Sequence, residues 1–392
     1  MNRSLSFQVL AFTATRMVLN TMHRMIYPFL TVFGRGLGID LAALSVALTA
    51  RSASGTFGPL LASVSDRHGR KAGMLFGLAL FIAGAALVVF WPTYPAFLLA
   101  LVLTVLGKYV FDPSMQAYLG DRVDYRRRGL ILALTEGGWS LSFILGIPLI
   151  GFLIARQGWF APFPLLAILG LLALAFLAWL LPSDPPLPDG QPGLLANFRS
   201  VLTYPAALAG LSIGLSASVA NEVVNLVFGV WLEDSFGLKI TALGIAAAVI
   251  GFSELGGELF AAKFTDRLGK PRAVNAGLAL NSLSALALPL LGGRESGALF
   301  GLFLFYITFE FSLVSSIPLM TEVMPAARGT VMAVNVAALS AGRAVGALLA
   351  APLYTLGNHG IAPNTIAAVG FNLLAILALV RLQRIAGEAV RL

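Results

Sequence analysis

Eleven charged side chains lie inside long apolar runs of this chain. A charge at the middle of a bilayer costs about 2.5–3.5 kcal/mol or more, so such a residue usually belongs to an ion pair, a polar cavity or a proton-binding site. A carboxylic acid removed from water binds a proton more readily and can exchange protons near neutral pH. The cations are Arg16, Arg24, Arg51, Lys108 and Arg343, and the acids are Asp112, Glu136, Glu222, Glu254, Glu258 and Glu310.

Four of these acids are candidates for proton coupling. They are Asp112, Glu136, Glu222 and Glu310, with Glu136 and Glu222 preferred. Lys108 and Asp112 are four residues apart, so they share a helical face and are expected to pair. Glu136 has no cation within four positions on its own helix. The alternative is that arginines of other helices neutralise each acid permanently.

Twelve apolar runs carry these residues. Mean hydropathy is +0.87 and 11% of residues are charged, whereas roughly a quarter are charged in a globular domain. A spanning helix needs about 20 apolar residues. The first run is too long for a signal-peptide core, so we take it as helix 1. Helices 1 to 12 are predicted at 7–33, 41–63, 72–91, 95–118, 129–154, 159–181, 203–232, 240–264, 272–291, 296–320, 328–353 and 361–380.

The chain contains an internal repeat. The charged turn Asp66-Arg67-x-Gly69 recurs as Asp266-Arg267-x-Gly269, 200 residues later. Arg128-Gly129 and Gly146 recur at the same offset as Arg328-Gly329 and Gly346. Repeats of this kind build transporters with two related halves. We therefore predict an N-terminal bundle over 1–181, a proline-rich cytoplasmic linker over 182–202 and a C-terminal bundle over 203–392.

The basic residues are distributed unevenly between alternate loops. The net charge is +8, and 17 of the 26 lysines and arginines fall in the termini and in the loops on the same side as the termini. Loops rich in Lys and Arg remain in the cytoplasm. Both termini are therefore predicted to be cytoplasmic, in the plasma (cell inner) membrane, and the basic balance does not indicate nucleic-acid binding.

The turn between helices 2 and 3 resembles the loop signature G-x-x-x-D-R-x-G-R-K of the major facilitator superfamily (MFS). Ala62 stands in place of the leading glycine, and Pro271 displaces the last basic residue of the second, weaker copy. The resemblance implies an all-α membrane protein of twelve transmembrane helices, in two six-helix bundles related by a pseudo-twofold axis. It also implies a cytoplasmic gate, for which the alternative is a role only in orientation and helix capping. The gate residues are Asp66, Arg67, Gly69, Arg70, Lys71, the acidic partner Asp121, and Asp266, Arg267 and Gly269.

Helix 5 resembles in part the glycine-and-proline signature of drug/proton antiporters. Its sequence is EGGWSLSFILGIPLIG over 136–151, but the residue before Pro148 is Ile147 where those proteins usually have glycine. The resemblance also implies that helices 1, 4, 7 and 10 line a central cavity, with 2, 5, 8 and 11 beside them. The predicted cavity residues are Arg16, Asn20, Arg24, Tyr27, Arg51, Lys108, Asn225, Tyr306, Asn335 and Arg343.

Other function classes find little support in the residues. The chain has no cysteine and three histidines, so no catalytic pair, metal cluster or ATP-binding loop is indicated. We predict no enzymatic activity, no metal and no cofactor. The predicted function is alternating-access transport by a monomer, with proton-coupled export of small lipophilic or amphiphilic organic compounds. Lipid translocation (a flippase) and proton-coupled uptake of a solute or organic anion remain alternatives.

Overall fold

The computed structural model describes residues 3–58, 60–61, 69–123, 125–182, 194–356 and 358–389. Asp66 and Arg67 of the predicted gate lie outside this part. Within it the chain is helical and contains no strand. Ten described helices, at the positions of predicted helices 3 to 12, are long and apolar enough to cross a membrane. Leu30–Leu37 and Leu41–Phe57 pass the same test together and are bent by 110° where predicted helix 1 leads into helix 2.

Each of the twelve predicted runs contains helix, and several runs contain more than one segment. The helices are Arg3–Arg24, Leu30–Leu37, Leu41–Ser54, Arg70–Phe90, Tyr94–Arg122, Tyr125–Leu141, Ile147–Gln157, Pro162–Leu180, Leu194–Thr203, Pro205–Asn225, Phe228–Phe236, Ile240–Leu268, Lys270–Leu291, Glu295–Val323, Arg328–Leu356 and Ala362–Ala389. Leu194–Thr203 lies in the predicted linker and includes the first residue of predicted helix 7, so the linker becomes helical after its prolines end.

Helices 1 and 7 are interrupted at corresponding places. Helix 1 stops at Arg24 and resumes at Leu30, and helix 7 stops at Asn225 and resumes at Phe228. Pro28 accounts for the first interruption, because proline has no N–H to donate and disfavours helical geometry at the residue before it. The first interruption follows Arg24 and contains Tyr27, and the second follows Asn225; all three are predicted cavity residues.

Helix 5 is also irregular. A π-helical turn, Ser142–Gly146, separates Tyr125–Leu141 from Ile147–Gln157. Pro148 follows this turn and cannot donate a hydrogen bond to the preceding turn. Insertions of this type occur frequently at functional sites, and this one lies within two turns of Glu136.

Two glycines of the repeat allow close helix packing. A Cβ atom added at Gly146 would lie 2.1 Å from Thr21 Oγ1, and one added at Gly346 would lie 2.6 Å from the Cβ of Glu222. Helix 5 thus approaches helix 1 as helix 11 approaches helix 7. Any larger residue at either position would force the helices apart.

The chain packs into two compact units. One contains Met1–Asp40, Phe57–Gln191 and Lys239–Gly251, and the other contains Leu41–Thr56, Pro192–Leu238 and Phe252–Leu392. Helix 2 belongs to the second unit because it packs on helix 11, where the Ser45 hydroxyl donates to the backbone oxygen of Ala347. The first half of helix 8 belongs to the first unit because it packs on helix 5. The two units therefore differ from the predicted N-terminal and C-terminal bundles at helix 2 and the first half of helix 8.

Candidate functional site

A buried arginine joins three helices of the first unit. Arg16 of helix 1 is 4% exposed, and its Nε lies 3.1 Å from Asp112 Oδ1 of helix 4. Its Nη1 and Nη2 lie 2.8 and 2.9 Å from the two carboxylate oxygens of Glu136 on helix 5. Nη1 also donates to the backbone oxygen of Thr135 at 2.9 Å. One guanidinium group therefore holds two carboxylates, which are the two predicted proton-coupling acids of the first half.

The two carboxylates have different surroundings. Asp112 also pairs with Lys108, as the four-residue spacing predicted, so it lies between two cations and its side chain is 15% exposed. Glu136 is 43% exposed and also accepts a hydrogen bond from Gln116 Nε2 at 3.2 Å. Asp112 is therefore the more buried of the two acids and has two cationic partners, whereas Glu136 is the more exposed.

Trp139 lies among the cations of the same unit. The Arg24 guanidinium lies 4.1 Å from the Trp139 ring centroid and 3.4 Å from that of Phe143, and it donates to the Trp139 backbone oxygen at 3.2 Å. Lys108 Nζ lies 5.6 Å from the Trp139 ring, and the His23 ring lies 6.2 Å away. The sequence reasoning did not select Trp139, although it follows Glu136 by three positions and so shares its helical face.

A second polar cluster joins helices 7 and 10 of the second unit. The Tyr306 hydroxyl donates to Asn225 Oδ1 at 2.7 Å, and Asn225 Nδ2 donates to Glu222 Oε2 at 3.4 Å. Glu222 and Tyr306 are buried. Glu310 follows Tyr306 by one turn and is also buried, with Gly257 packed against its Cβ. Three of the residues predicted for the second half are thus connected through hydrogen bonds.

The remaining predicted cavity residues lie on helices 1, 2 and 11. Asn20 and Tyr27 are buried on helix 1, Arg51 on helix 2 and Asn335 on helix 11, and Arg343 is half-buried on helix 11.

The loop-motif residues that the structure describes contact residues of their own units. Gly69 has φ +100°, a conformation that favours glycine, and helix 3 begins directly after it. Arg70 Nε lies 3.4 Å from Asp121 Oδ2 at the end of helix 4, as the resemblance implied. Lys71 Nζ donates to the backbone oxygens of Ala178 and Leu181 at 2.7 and 2.6 Å, where helix 6 ends.

The second copy of the motif has the same design. Gly269 has φ +83° before helix 9, and Lys270 pairs with Glu322 at the end of helix 10. Asp266 and Arg267 are exposed in the last turn of helix 8. The sequence reasoning missed Glu322, which lies 201 residues after Asp121; a search within one position of the 200-residue offset could have identified it.

Comparisons with known proteins identify the family of the chain. The family model of the Major Facilitator Superfamily matches residues 12–347 and 211–385. The chain belongs to this superfamily. As an MFS protein it is a multi-span membrane transporter with the fold expected from the sequence.

Individual MFS relatives are distant. The chain is 28% identical over 304 residues to an uncharacterized MFS-type transporter, YceJ, of Bacillus subtilis (strain 168), with 76% of each chain covered. It is 28% identical over 145 residues to the multidrug resistance protein fnx1 of Schizosaccharomyces pombe, covering 36% of this chain and 27% of that one. A bacterial homologue of the human lysosomal transporter Spinster has a TM-score of 0.73 at 16% identity, with 97% and 95% covered.

Proposed function

We propose that this MFS transporter exports small lipophilic or amphiphilic organic compounds in exchange for protons, and that Glu136 carries the proton. The observation that supports the proposal best is the sharing of Arg16 between two unlike carboxylates. Asp112 keeps a second cation, Lys108, when Arg16 moves. Glu136 depends on Arg16 alone for an ionic contact among its described contacts, and it is the more exposed acid.

Protonation of Glu136 changes the charge of the whole cluster. With both acids ionised, the charges of Asp112 and Glu136 balance those of Arg16 and Lys108. A proton on Glu136 removes one negative charge and weakens both of its charge-assisted contacts with Arg16. The cluster then has one positive charge in excess, and helices 1 and 5 lose their strongest polar connection. Breaking such contacts biases a two-state protein towards its other conformation.

The exposed carboxylate also suggests how a substrate exchanges with the proton. A cationic group on an amphiphile binds ionised Glu136, whereas a proton neutralises it. The two ligands therefore exclude each other at one carboxylate, and each lowers the affinity for the other by the same factor. Such negative coupling is what an antiporter requires. The aromatic faces of Trp139 and Phe143 already contact Arg24, so a change at Arg24 would expose them to an apolar substrate.

Glu222 is the second candidate for proton coupling. Its carboxylate accepts from Asn225, which is itself oriented by Tyr306, so the hydrogen bonds fix the position of a buried acid. Over 36% of its length the chain is similar to the multidrug resistance protein fnx1, and this similarity supports drug-like compounds as substrates. The remainder of the proposal is a monomer in the plasma membrane with both termini in the cytoplasm, driven by the proton gradient.

An organic-anion symporter is the alternative with a specific observation in its favour. Three cations, Arg16, Arg24 and Lys108, lie around Glu136 and Trp139 against two acids. An anion that replaces Glu136 on Arg16 binds best when Glu136 is protonated. Its affinity therefore rises as pH falls, whereas the affinity for a cationic export substrate rises as pH rises.

The test is pH-gradient-driven accumulation of a lipophilic cationic dye in inside-out vesicles. We expect accumulation that a protonophore abolishes, and that Glu136→Gln reduces to the level of protein-free vesicles. Glu295→Gln, an exposed residue at the outer end of helix 10, is the matched control and should transport normally. Full accumulation by Glu136→Gln would contradict the assigned role. No accumulation by the wild type would favour lipid translocation or anion uptake.

A further inference from the structure

Asn20 is a buried amide without a hydrogen bond to any residue that the structure describes. The residue is 0% exposed, and neither Oδ1 nor Nδ2 has a hydrogen-bond partner among the described residues. Buried polar side chains are nearly always hydrogen-bonded, so one that lacks both partners calls for an explanation.

The position of Asn20 suggests which partner it can acquire. It lies one turn after Arg16 and one turn before Arg24, on the same face of helix 1. Arg16 is directed to Asp112, Glu136 and the backbone of Thr135. A guanidinium released from a carboxylate needs a new acceptor, and the amide oxygen of Asn20 is one helical turn away.

A buried asparagine lies at the corresponding place in helix 7, although Ala217 stands there where helix 1 has Arg16. Asn221 lies four residues before the last residue of Pro205–Asn225, as Asn20 lies four residues before the last residue of Arg3–Arg24. Asn221 is also buried, and its Nδ2 lacks a hydrogen-bond partner among the described residues. Asn364 of helix 12 is different, because its Nδ2 donates to the backbone oxygens of Val223 and Ala350 at 2.8 and 2.9 Å.

We propose that Asn20 is a state-dependent acceptor for Arg16, unsatisfied while Glu136 holds the guanidinium and bonded to it once Glu136 is neutralised. An unsatisfied buried polar group disfavours a conformation by about five- to a hundredfold. Asn20 therefore biases the protein away from the present conformation. The choice of Arg16 as the partner rests on the proposed role of Glu136, but the unsatisfied amide does not.

The test is a double-mutant cycle of Asn20→Leu and Glu136→Gln, read by thermal melting of the purified protein. Leucine has the branched outline of asparagine and no polar atoms. In the wild-type background, Asn20→Leu should leave the melting temperature unchanged or raise it, because no hydrogen bond is lost. In the Glu136→Gln background, where Arg16 is loosened, the same substitution should lower the melting temperature.

Asn364→Leu is the matched control, since the residue is equally buried and its Nδ2 makes two hydrogen bonds that the substitution removes. It should lower the melting temperature equally in both backgrounds. A decrease for Asn20→Leu in the wild-type background would show that the amide is already bonded and would overturn the proposal. An identical effect in both backgrounds would exclude Arg16 as the partner.

The pair Asn20→Ala and Asn364→Ala repeats the comparison without added volume. Asn20→Ala should again melt at a higher temperature than Asn364→Ala. None of these measurements needs a substrate. Normal proton-linked transport by Glu136→Gln would contradict the proposed function, while the melting order of the asparagine variants in the wild-type background would remain as expected.

Discussion

Neutralising each of the two acids on Arg16 should have very different consequences for stability. Asp112 is 15% exposed and lies between Arg16 and Lys108. Asp112→Asn leaves two cations with one exposed acid, and breaking a buried ion pair costs about 3–5 kcal/mol. Glu136 is 43% exposed, so water screens its ion pair, and such pairs contribute about 1 kcal/mol or less.

We therefore expect Asp112→Asn to melt well below the wild type and Glu136→Gln to melt close to it. The same two variants are then compared in proteoliposomes. Glu136→Gln should be folded and inactive in proton-linked transport, which separates a functional carboxylate from a structural one. Equal destabilisation by the two substitutions would refute the reasoning, because it would mean that Glu136 is as structural as Asp112.

Three further substitutions test the packing and the polar contacts by thermal melting. Gly346→Ala should lower the free energy of unfolding by about 1–3 kcal/mol, because the added Cβ would overlap the Cβ of Glu222. Gly370→Ala, with open space around it, is the control and should be neutral. Equal effects of the two substitutions would contradict the close approach of helices 7 and 11. Tyr354→Phe should cost about 1 kcal/mol by removing the 2.8 Å hydrogen bond to Asp234, and an unchanged melting temperature would mean that this bond contributes nothing. Arg70→Met should change stability by less than about 1 kcal/mol, since its aspartate partner is exposed; a larger loss would indicate a role in holding helices 3 and 4.

Part of the site follows from the sequence. The four-residue spacing of Lys108 and Asp112 determines their pairing, because helix geometry alone brings such residues together. The repeat located Gly146 and Gly346, and the structure shows why both are glycine. These features depend on local geometry or on internal comparison, which one sequence contains.

Other parts could not be obtained in this way. The contact of Arg16 with Glu136 depends on how helices 1 and 5 are rotated and spaced, and no periodicity within either helix specifies that. The unsatisfied amide of Asn20 has the same origin, since its burial is a property of the packed unit. The interruption of helix 1 could be predicted in part. Pro28 in the sequence indicates that the helix breaks, but it does not give the length of the break.

The most direct test of the account is proton movement driven by a substrate gradient. Proteoliposomes containing a pH-sensitive dye, with the membrane potential clamped, receive an outward gradient of a lipophilic cation. The account predicts that protons move inward as the cation leaves, and that Glu136→Gln abolishes this movement. Exit of the cation through the wild-type protein without any proton movement would contradict proton-coupled exchange.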